Sequence, residues 1–321
     1  MRICQVHPNC GIQIPPPAWG AIEKIIWEFK CNLEKLGHTV DIKYEAEVES
    51  GEFPWHNKYD IVMVHVANLA NKLHARNIPY IFQFHDHHAV YHGKDSQVYK
   101  ENLQAMENSL VSLVPARYLV NYFDTDKVKY FSHGVNTDFF IPREEPLTDH
   151  KLLCVANNGM GGYGSHDRKG FGLAIAVAAQ KGLPITIAGP WNNRNFFNDN
   201  PWTLMYPKLS IMFEPNQTDL LKLYQDHTIF MHPSEMEAGH PNLTILEAAS
   251  CGVPVNGWIE METDFFGMWR APRDFYELLR GVDDIINNYD SYRQKARQHA
   301  ESLSWFNRSK ELLKIYERYI N

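Results

Sequence analysis

The sequence predicts an α/β protein built from two parallel, doubly wound sheets in succession. Three observations carry this. Short, nearly continuous apolar runs, as at 60–66 and 80–85, read as strands buried on both faces, which is how parallel strands sit beneath crossover helices. Segments with 3.6-residue apolar spacing separate these runs. A charged, proline-bearing, aperiodic stretch at 142–151 then interrupts the pattern, which restarts after it. The chain has 321 residues, and at about 150 residues per domain two domains are expected.

In order, residues 2–6 form a strand, followed by a turn-rich loop from Pro8 to Gly20. Three consecutive prolines, Pro15, Pro16 and Pro17, keep that loop extended. A helix over 21–36 follows from the spacing of Ile22, Ile25, Ile26, Phe29 and Leu33, with Gly37 placed where a helix ends. Strands at 39–44, 60–66, 80–85, 110–114 and 129–132 complete the first half. The second half opens with a strand at 152–156, a glycine-rich loop and a helix at 171–180. Strands at 184–188, 210–213, 228–232 and 253–255 follow, and the tail from about residue 272 is mostly helical. Two such sheets face each other across a cleft, and ligands of these sheets sit beyond the carboxyl ends of the strands.

Composition narrows the class. Hydrophobic residues are 44% and charged residues 21%, ordinary globular usage that excludes collagen, long coiled coil and disorder. Against 38 acidic side chains stand 31 basic ones, a net charge of −7. That balance disfavours a protein held on nucleic acid mainly through phosphates. The 8 Trp and 16 Tyr suit stacking on sugars or bases and suit a large core equally. Five scattered cysteines, Cys4, Cys10, Cys31, Cys154 and Cys251, form no CxxC and read as reduced thiols of a cytoplasmic protein. The N-terminus lacks the apolar region of a signal peptide, and no run approaches membrane-spanning length.

Four segments carry candidate chemistry. From His232 to Val255 the pattern is a strand, a polar loop, and a helix at 242–250 stopped by Gly252 and Pro254. The first amides of such a helix, at Asn242, Leu243 and Thr244, suit a phosphate, and Glu247 suits ribose hydroxyls. The plainer alternative is a generic crossover with solvated glutamates. The stretch from Asn157 to Phe171 follows a strand and precedes a helix. Its glycines let backbone N–H groups approach an anion, and Arg168 and Lys169 neutralise a diphosphate; a surface loop with two solvated cations is the alternative. Pro15 to Glu23 leads into the first helix through Gly20, which a plain helix-capping loop also explains. His85 and Asp86 end an apolar strand and face the cleft. A metal reading of His85, Asp86, His87, His88 and His92 ranks below sugar contact, because consecutive residues do not converge on one ion. Asp124-Thr125-Asp126 reads as a solvated turn.

These segments, in this order, resemble the retaining glycosyltransferases of family four, which have the GT-B fold of two Rossmann-like domains. Pro233-Ser234 and the run Leu246-Glu247-Ala248-Ala249-Ser250-Cys251-Gly252-Val253-Pro254-Val255 resemble the late family signature. Lys169-Gly170 matches its K-G, although Asn157 and Asn158 stand where the family has an arginine, and Arg168 is the substitute. Pro15 to Glu23 resembles P-P-x-x-G-G-x-E with Ala21 for one glycine. His85-Asp86 resembles T-x-H-D, and His133 to Phe140 the N-G-V-D-x-x-x-F. The family's first glutamate falls on Gly239 here. Either Glu237 takes its role through a longer loop or the role is vacant.

The resemblance implies an acceptor-side domain at 1–145, a nucleotide-sugar domain at 151–304, and a final helix at 305–321 crossing back to the first. It implies transfer of a sugar, with retention, from a UDP- or GDP-linked donor to a hydroxyl acceptor. No metal or other cofactor is obligatory, and the nucleotide-diphosphate sugar is the co-substrate. The expected catalytic residues are His85, Asp86, Lys169 and Glu237. The expected donor-binding residues are Gly20, Arg168, Lys169, Asn242, Leu243, Thr244 and Glu247. The acceptor is a glycan, a small molecule or a hydroxymethylated DNA base of the phage type. The alternatives are a sugar-nucleotide epimerase and a non-catalytic nucleotide-sugar-binding module.

Overall fold

A computed structural model describes residues 1–7, 11–16, 20–50, 58–86, 88–158, 167–235, 242–257, 267–270 and 273–320. The first half contains β1 (Arg2–His7), α1 (Ala21–Lys35), β2 (Thr39–Tyr44), α2 (Glu45–Ser50), β3 (Ile61–Val64), α3 (Ala67–His74), β4 (Ile81–Gln83), α4 (His88–Tyr91), α5 (Gln97–Asn108), β5 (Val111–Val114) and β6 (Val128–Tyr130). Its strands lie in the order β2-β1-β3-β4-β5-β6, every pairing parallel. The second half contains β7 (Leu152–Val155), α6 (Phe171–Lys181), β8 (Ile185–Gly189), α7 (Arg194–Asp199), β9 (Leu209–Phe213), α8 (Gln217–Gln225), β10 (Ile229–His232), α9 (Leu243–Ser250), β11 (Val255–Gly257) and β12 (Met268–Arg270). These strands lie in the order β12-β11-β10-β7-β8-β9, again all parallel. Helices α10 (Phe275–Asn287), α11 (Tyr289–Ser302) and α12 (Trp305–Tyr316) close the chain.

Each sheet is buried on both faces, which is why its strands read as apolar runs. In the first half one face packs Val64, Leu69, Phe82 and Tyr99, and the other packs Ile3, Ile25, Phe29 and Met63. The second sheet is sandwiched in the same way by two separate clusters. Of the stripe expected on α1, Ile25, Ile26, Phe29 and Leu33 are buried, with Ile25, Phe29 and Leu33 packed on the sheet, and Ile22 is only half-buried. Gly37, at φ 85°, ends that helix while His38 N–H closes on the Leu33 carbonyl at 3.1 Å.

Several expected strands differ in extent: the one expected at 80–85 runs only from Ile81 to Gln83, and the one expected at 129–132 from Val128 to Tyr130. The strand expected at 60–66 stops at Val64, because Val66 already leads α3 and its carbonyl accepts from Ala70 N–H at 3.1 Å. The strand expected at 253–255 runs instead from Val255 to Gly257. Val253 N–H is still occupied by the Ala248 carbonyl of α9, at 2.9 Å, and Pro254 has no N–H to offer a ladder. The short edge strand β12 carried no periodic signal.

The last helix packs on the first half. Trp305, Leu312 and Tyr316 of α12 share a core with Ile25, Phe29 and Leu33 of α1, and the Phe29 and Trp305 rings meet at 5.1 Å, edge to face. The outgoing and returning chain pass side by side: Val135 pairs with Ser304 in a parallel bridge, with Val135 N–H donating to the Leu303 carbonyl and Trp305 N–H to the Val135 carbonyl, both at 3.0 Å.

Candidate active site

In the second sheet the chain runs outward from β7 through β8 to β9, then returns to β10 and runs the other way. The order reverses between β7 and β10, the place where such sheets have a crevice beyond the carboxyl ends of their strands. The two loops that flank it hold the strongest sequence signals, and they are docked on each other. Glu235 N–H donates to the Arg168 carbonyl at 2.9 Å, and the Arg168 guanidinium donates to the Glu235 carbonyl at 3.3 Å. Gly170 sits at φ 72°, and a Cβ there would run into the Pro233 carbonyl. Only glycine permits that approach.

Asp167 organises the loop from below. Its carboxylate accepts from Phe171 N–H at 2.9 Å and Gly172 N–H at 2.7 Å, capping α6, and from the Asn158 amide at 2.9 Å. Asn158 in turn accepts from Lys169 N–H at 2.9 Å. The first amides of α6 are thus taken by the chain's own carboxylate, so an anion at this loop meets side-chain cations rather than that helix end. Arg168 and Lys169 are both buried. A third cation, Arg273, bonds to the Asp167 carbonyl and pairs with Glu235. Sequence reading missed it, since it lies far downstream and no motif surrounds it.

On the other side of the crevice Asn242 caps α9. Its side-chain oxygen accepts from Ile245 N–H at 3.1 Å and from the Thr244 hydroxyl at 3.0 Å. Leu243 packs against the core of the first half. Glu247 is buried in this short helix, and both of its oxygens are engaged. Lys24 Nζ donates to Oε1 at 2.5 Å, and the Tyr224 hydroxyl donates to Oε2 at 3.0 Å. Burial, then the Glu247 charge, holds the Tyr224 hydroxyl well above its ordinary pKa, so it stays a donor. Lys24 belongs to α1 and lies 4.9 Å from the centre of the Phe140 ring. The pair therefore joins the two halves, and a ribose hydroxyl approaching Glu247 meets a carboxylate already paired.

The first half contributes polar groups at the carboxyl ends of its strands. Gly20, at φ 137°, leads α1, and a Cβ there would press on the Glu23 carboxylate and the side chains of Ile12 and Pro16. Glu23 is buried against His7 Nε2 at 2.9 Å. His85, at the end of β4, meets His65 at 3.1 Å, and His65 meets Gln5 at 3.1 Å. The His85 ring also stacks at 6.0 Å on His133. Burial pushes His65 down to about 3 and holds His85 well below the ordinary histidine value. Both rings are neutral at neutral pH. Asp86 caps the turn behind His85, accepting from His88 N–H at 2.9 Å and from the Asn102 amide at 3.3 Å.

Glu237 and Gly239 lie outside the described residues, as do His87 and Pro17. Among the described residues no group of three or more His, Cys, Asp or Glu is placed to hold a metal ion. Asp124 is exposed and pairs with Lys94 at 3.0 Å, and Asp126 is exposed in the same turn. No described helix is long and apolar enough to cross a membrane.

No protein-family model matches the chain, and no curated protein matches it by sequence. Solved structures do match it in shape along its whole length. Sucrose-phosphate synthase from Thermosynechococcus elongatus superposes with a TM-score of 0.80 at 13% identity, covering 99% of this chain and 98% of that one. HepE of Anabaena, solved in complex with UDP, gives 0.72 at 12% identity over 99% and 100% of the two chains. The catalytic domain of starch synthase IV from Arabidopsis thaliana, bound to ADP and acarbose, gives 0.70 at 11% identity over 99% of each chain. With two six-stranded parallel sheets in succession, a reversal of strand order in the second and a last helix returned to the first, this chain shares the GT-B fold of those structures.

Proposed function

We propose that the protein is a retaining glycosyltransferase that moves a sugar from a UDP- or GDP-linked donor to a hydroxyl acceptor. The observation that carries this reading is the docking of the Arg168-Lys169-Gly170 loop on Pro233-Ser234-Glu235, beside the Glu247 helix, at the switch point of the second sheet. That is where a nucleotide belongs in a doubly wound sheet. Several of the solved structures of this shape are glycosyltransferases, and HepE was also solved with UDP-glucose.

In this reading residues 151–304 hold the donor, residues 1–145 present the acceptor, and residues 305–321 tie the two together. Lys169, Arg168 and the leading amides of α9, at Leu243 and Thr244, meet the departing diphosphate. Preset charges in a crevice that excludes water stabilise such a leaving group without reorganisation. Glu247 accepts from the ribose, exchanging one of its present partners. His85 meets the transferred sugar from the opposite wall, with Asp86 holding its turn and Gly20 setting the approach of α1. Glu237 is the carboxylate proposed for the donor sugar. Arg168 and Lys169 are buried, which speaks against the alternative of a surface loop with two solvated cations.

A thermal-shift screen of nucleotide sugars tests the reading, since a ligand that binds only the folded state raises the melting point by mass action. A shift with UDP- or GDP-sugars, followed by nucleotide release that accelerates with a hydroxyl acceptor, supports transfer. Release without any acceptor dependence points to the epimerase, and a shift with no turnover to the binding module. No shift with any nucleotide sugar removes the reading.

A further inference from the structure

Four groups at the floor of the first half form a directional hydrogen-bond chain. The Gln5 amide nitrogen donates to the Ile26 carbonyl at 3.1 Å. Gln5 Oε1 then faces His65 Nε2 at 3.1 Å, and His65 Nδ1 faces His85 Nε2 at 3.1 Å. Gln5 and His65 are fully buried, and His85 is half-buried at the cleft.

The polarity of this chain is set at its closed end. A backbone carbonyl only accepts, so the Gln5 nitrogen must be the group facing Ile26. Gln5 Oε1 is then an acceptor, and His65 Nε2 must carry a proton. A neutral imidazole carries only one, so His65 Nδ1 is an acceptor and His85 Nε2 must be the donor. The reverse polarity turns the Gln5 oxygen onto the Ile26 oxygen with no proton between them, at a loss of roughly tenfold or more in the population of that state. A doubly protonated His65 fares worse: its ring is enclosed, and both nitrogens face neutral groups. The nearby carboxylate of Glu23 is spent on His7.

We propose that Gln5 and His65 are positioning residues that fix His85 as its Nε2–H tautomer, leaving the Nδ1 lone pair as the acceptor for a hydroxyl of the donor sugar. The sugar contact rests on the glycosyltransferase reading, whereas the tautomer rests on the hydrogen-bond chain alone. The arrangement has two chemical consequences. The ring selects sugars that present a hydroxyl to it, since a sugar lacking that group leaves Nδ1 unmatched and binds roughly tenfold to a hundredfold more weakly. It also stays uncharged, so it adds no repulsion to the positive charge that grows on a sugar as its diphosphate leaves.

Proton–nitrogen correlation spectra of the full chain, labelled at histidine and taken at neutral pH, read the tautomer directly. The His85 signals are assigned by their loss in His85→Gln. The expected result is a protonated Nε2 and a bare Nδ1. A protonated Nδ1 with bare Nε2, or a doubly protonated ring, overturns the proposal. His65→Leu removes the acceptor, and His85 is expected to become a mixture of tautomers. His65→Gln accepts from His85 through its oxygen and donates to Gln5 through its nitrogen, so it is expected to restore the single pattern. An unchanged His85 in a folded His65→Leu protein overturns the positioning role. If that variant does not fold, Gln5→Leu is read in its place with the same two outcomes. Titration with UDP-glucose and a GDP-sugar separates the two premises: His85 signals that neither compound moves, with the tautomer intact, overturn the sugar contact and leave the tautomer standing.

Discussion

Lys24 Nζ lies 2.5 Å from Glu247 Oε1, with both side chains largely buried. The contact ties the first turn of α1 to the middle of α9 across the cleft, and the Tyr224 hydroxyl holds the second oxygen of Glu247 at 3.0 Å. Glu247 is the residue most specific to the late motif, and its present partner comes from the opposite half of the molecule. In the proposed reading, this bridge stands where the ribose enters.

Removing one member of this pair strands the other charge in a dry site. Lys24→Met is expected to lower the unfolding free energy by on the order of 3 kcal/mol, as broken buried pairs do. The double variant Lys24→Met with Glu247→Gln is expected to recover most of that loss, because the amide still accepts from Tyr224 and carries no charge. Urea unfolding of the wild type and both variants measures it. A single variant as stable as the wild type would mean that the bridge is solvated.

Gly170 offers a cleaner test of the docked loops. Gly182 has nearly the same backbone, φ 66° against 72°, yet a Cβ there meets nothing within 4 Å, whereas at Gly170 it strikes Pro233. Gly182→Ala measures backbone strain alone, about 1 kcal/mol. Gly170→Ala adds the collision and is expected to cost roughly 1–3 kcal/mol more. It should also weaken nucleotide-sugar binding, since the carbonyl and side chain of Arg168 are anchored on the same segment. Equal losses in the two variants would show that the β10 loop yields freely.

Lys169→Ala tests the charge itself. The backbone of Lys169 is held by Asn158, so the loop is expected to keep its path when the side chain is cut. Nucleotide release from whichever donor raises the melting point is expected to fall by about 100- to 1000-fold, the scale of losing one preset charge at a leaving group. Unchanged release with an unchanged fold would move the diphosphate elsewhere.

The two sheets were legible because parallel strands under helices are apolar on both faces, and the Leu152–Val155 and Ile229–His232 runs declare themselves. Lys169-Gly170 and the Glu247 helix were legible as local motifs. What stayed hidden was pairing over long sequence distance. Nothing near Lys24 signals Glu247, 223 residues away, and nothing near Arg273 signals Asp167. The polar chain Gln5–His65–His85 was hidden for a related reason: Gln5 and His65 each sit as single polar residues in apolar strand runs, and only the sheet order β1-β3-β4 makes them neighbours. The α6 cap by Asp167 is hidden in sequence by the two cations that follow it, whose charge suits an external anion equally well.

His65 also makes stability depend on pH in a definite direction. Its pKa is lowered from 6.5 to about 3 by burial. A depressed folded-state value means that the unfolded chain binds more protons between those limits, so stability rises with pH across that window and is lost as pH falls through it. At pH 5 one such ring costs about 2 kcal/mol relative to neutral pH. His65→Gln removes the titrating group while keeping a donor and an acceptor in its place. Urea unfolding at pH 7 and pH 5 is therefore expected to show a smaller loss for His65→Gln than for the wild type, by about that amount. His38, His150 and His227 are also lowered by burial and cancel between the two proteins, whereas His85, lowered first by burial and next by His65, is read together with His65 as one coupled pair. Equal losses would mean that the ring takes up its proton in the folded state without opening the core. The Nε2 proton donated to Gln5 would then no longer be tied to a neutral imidazole.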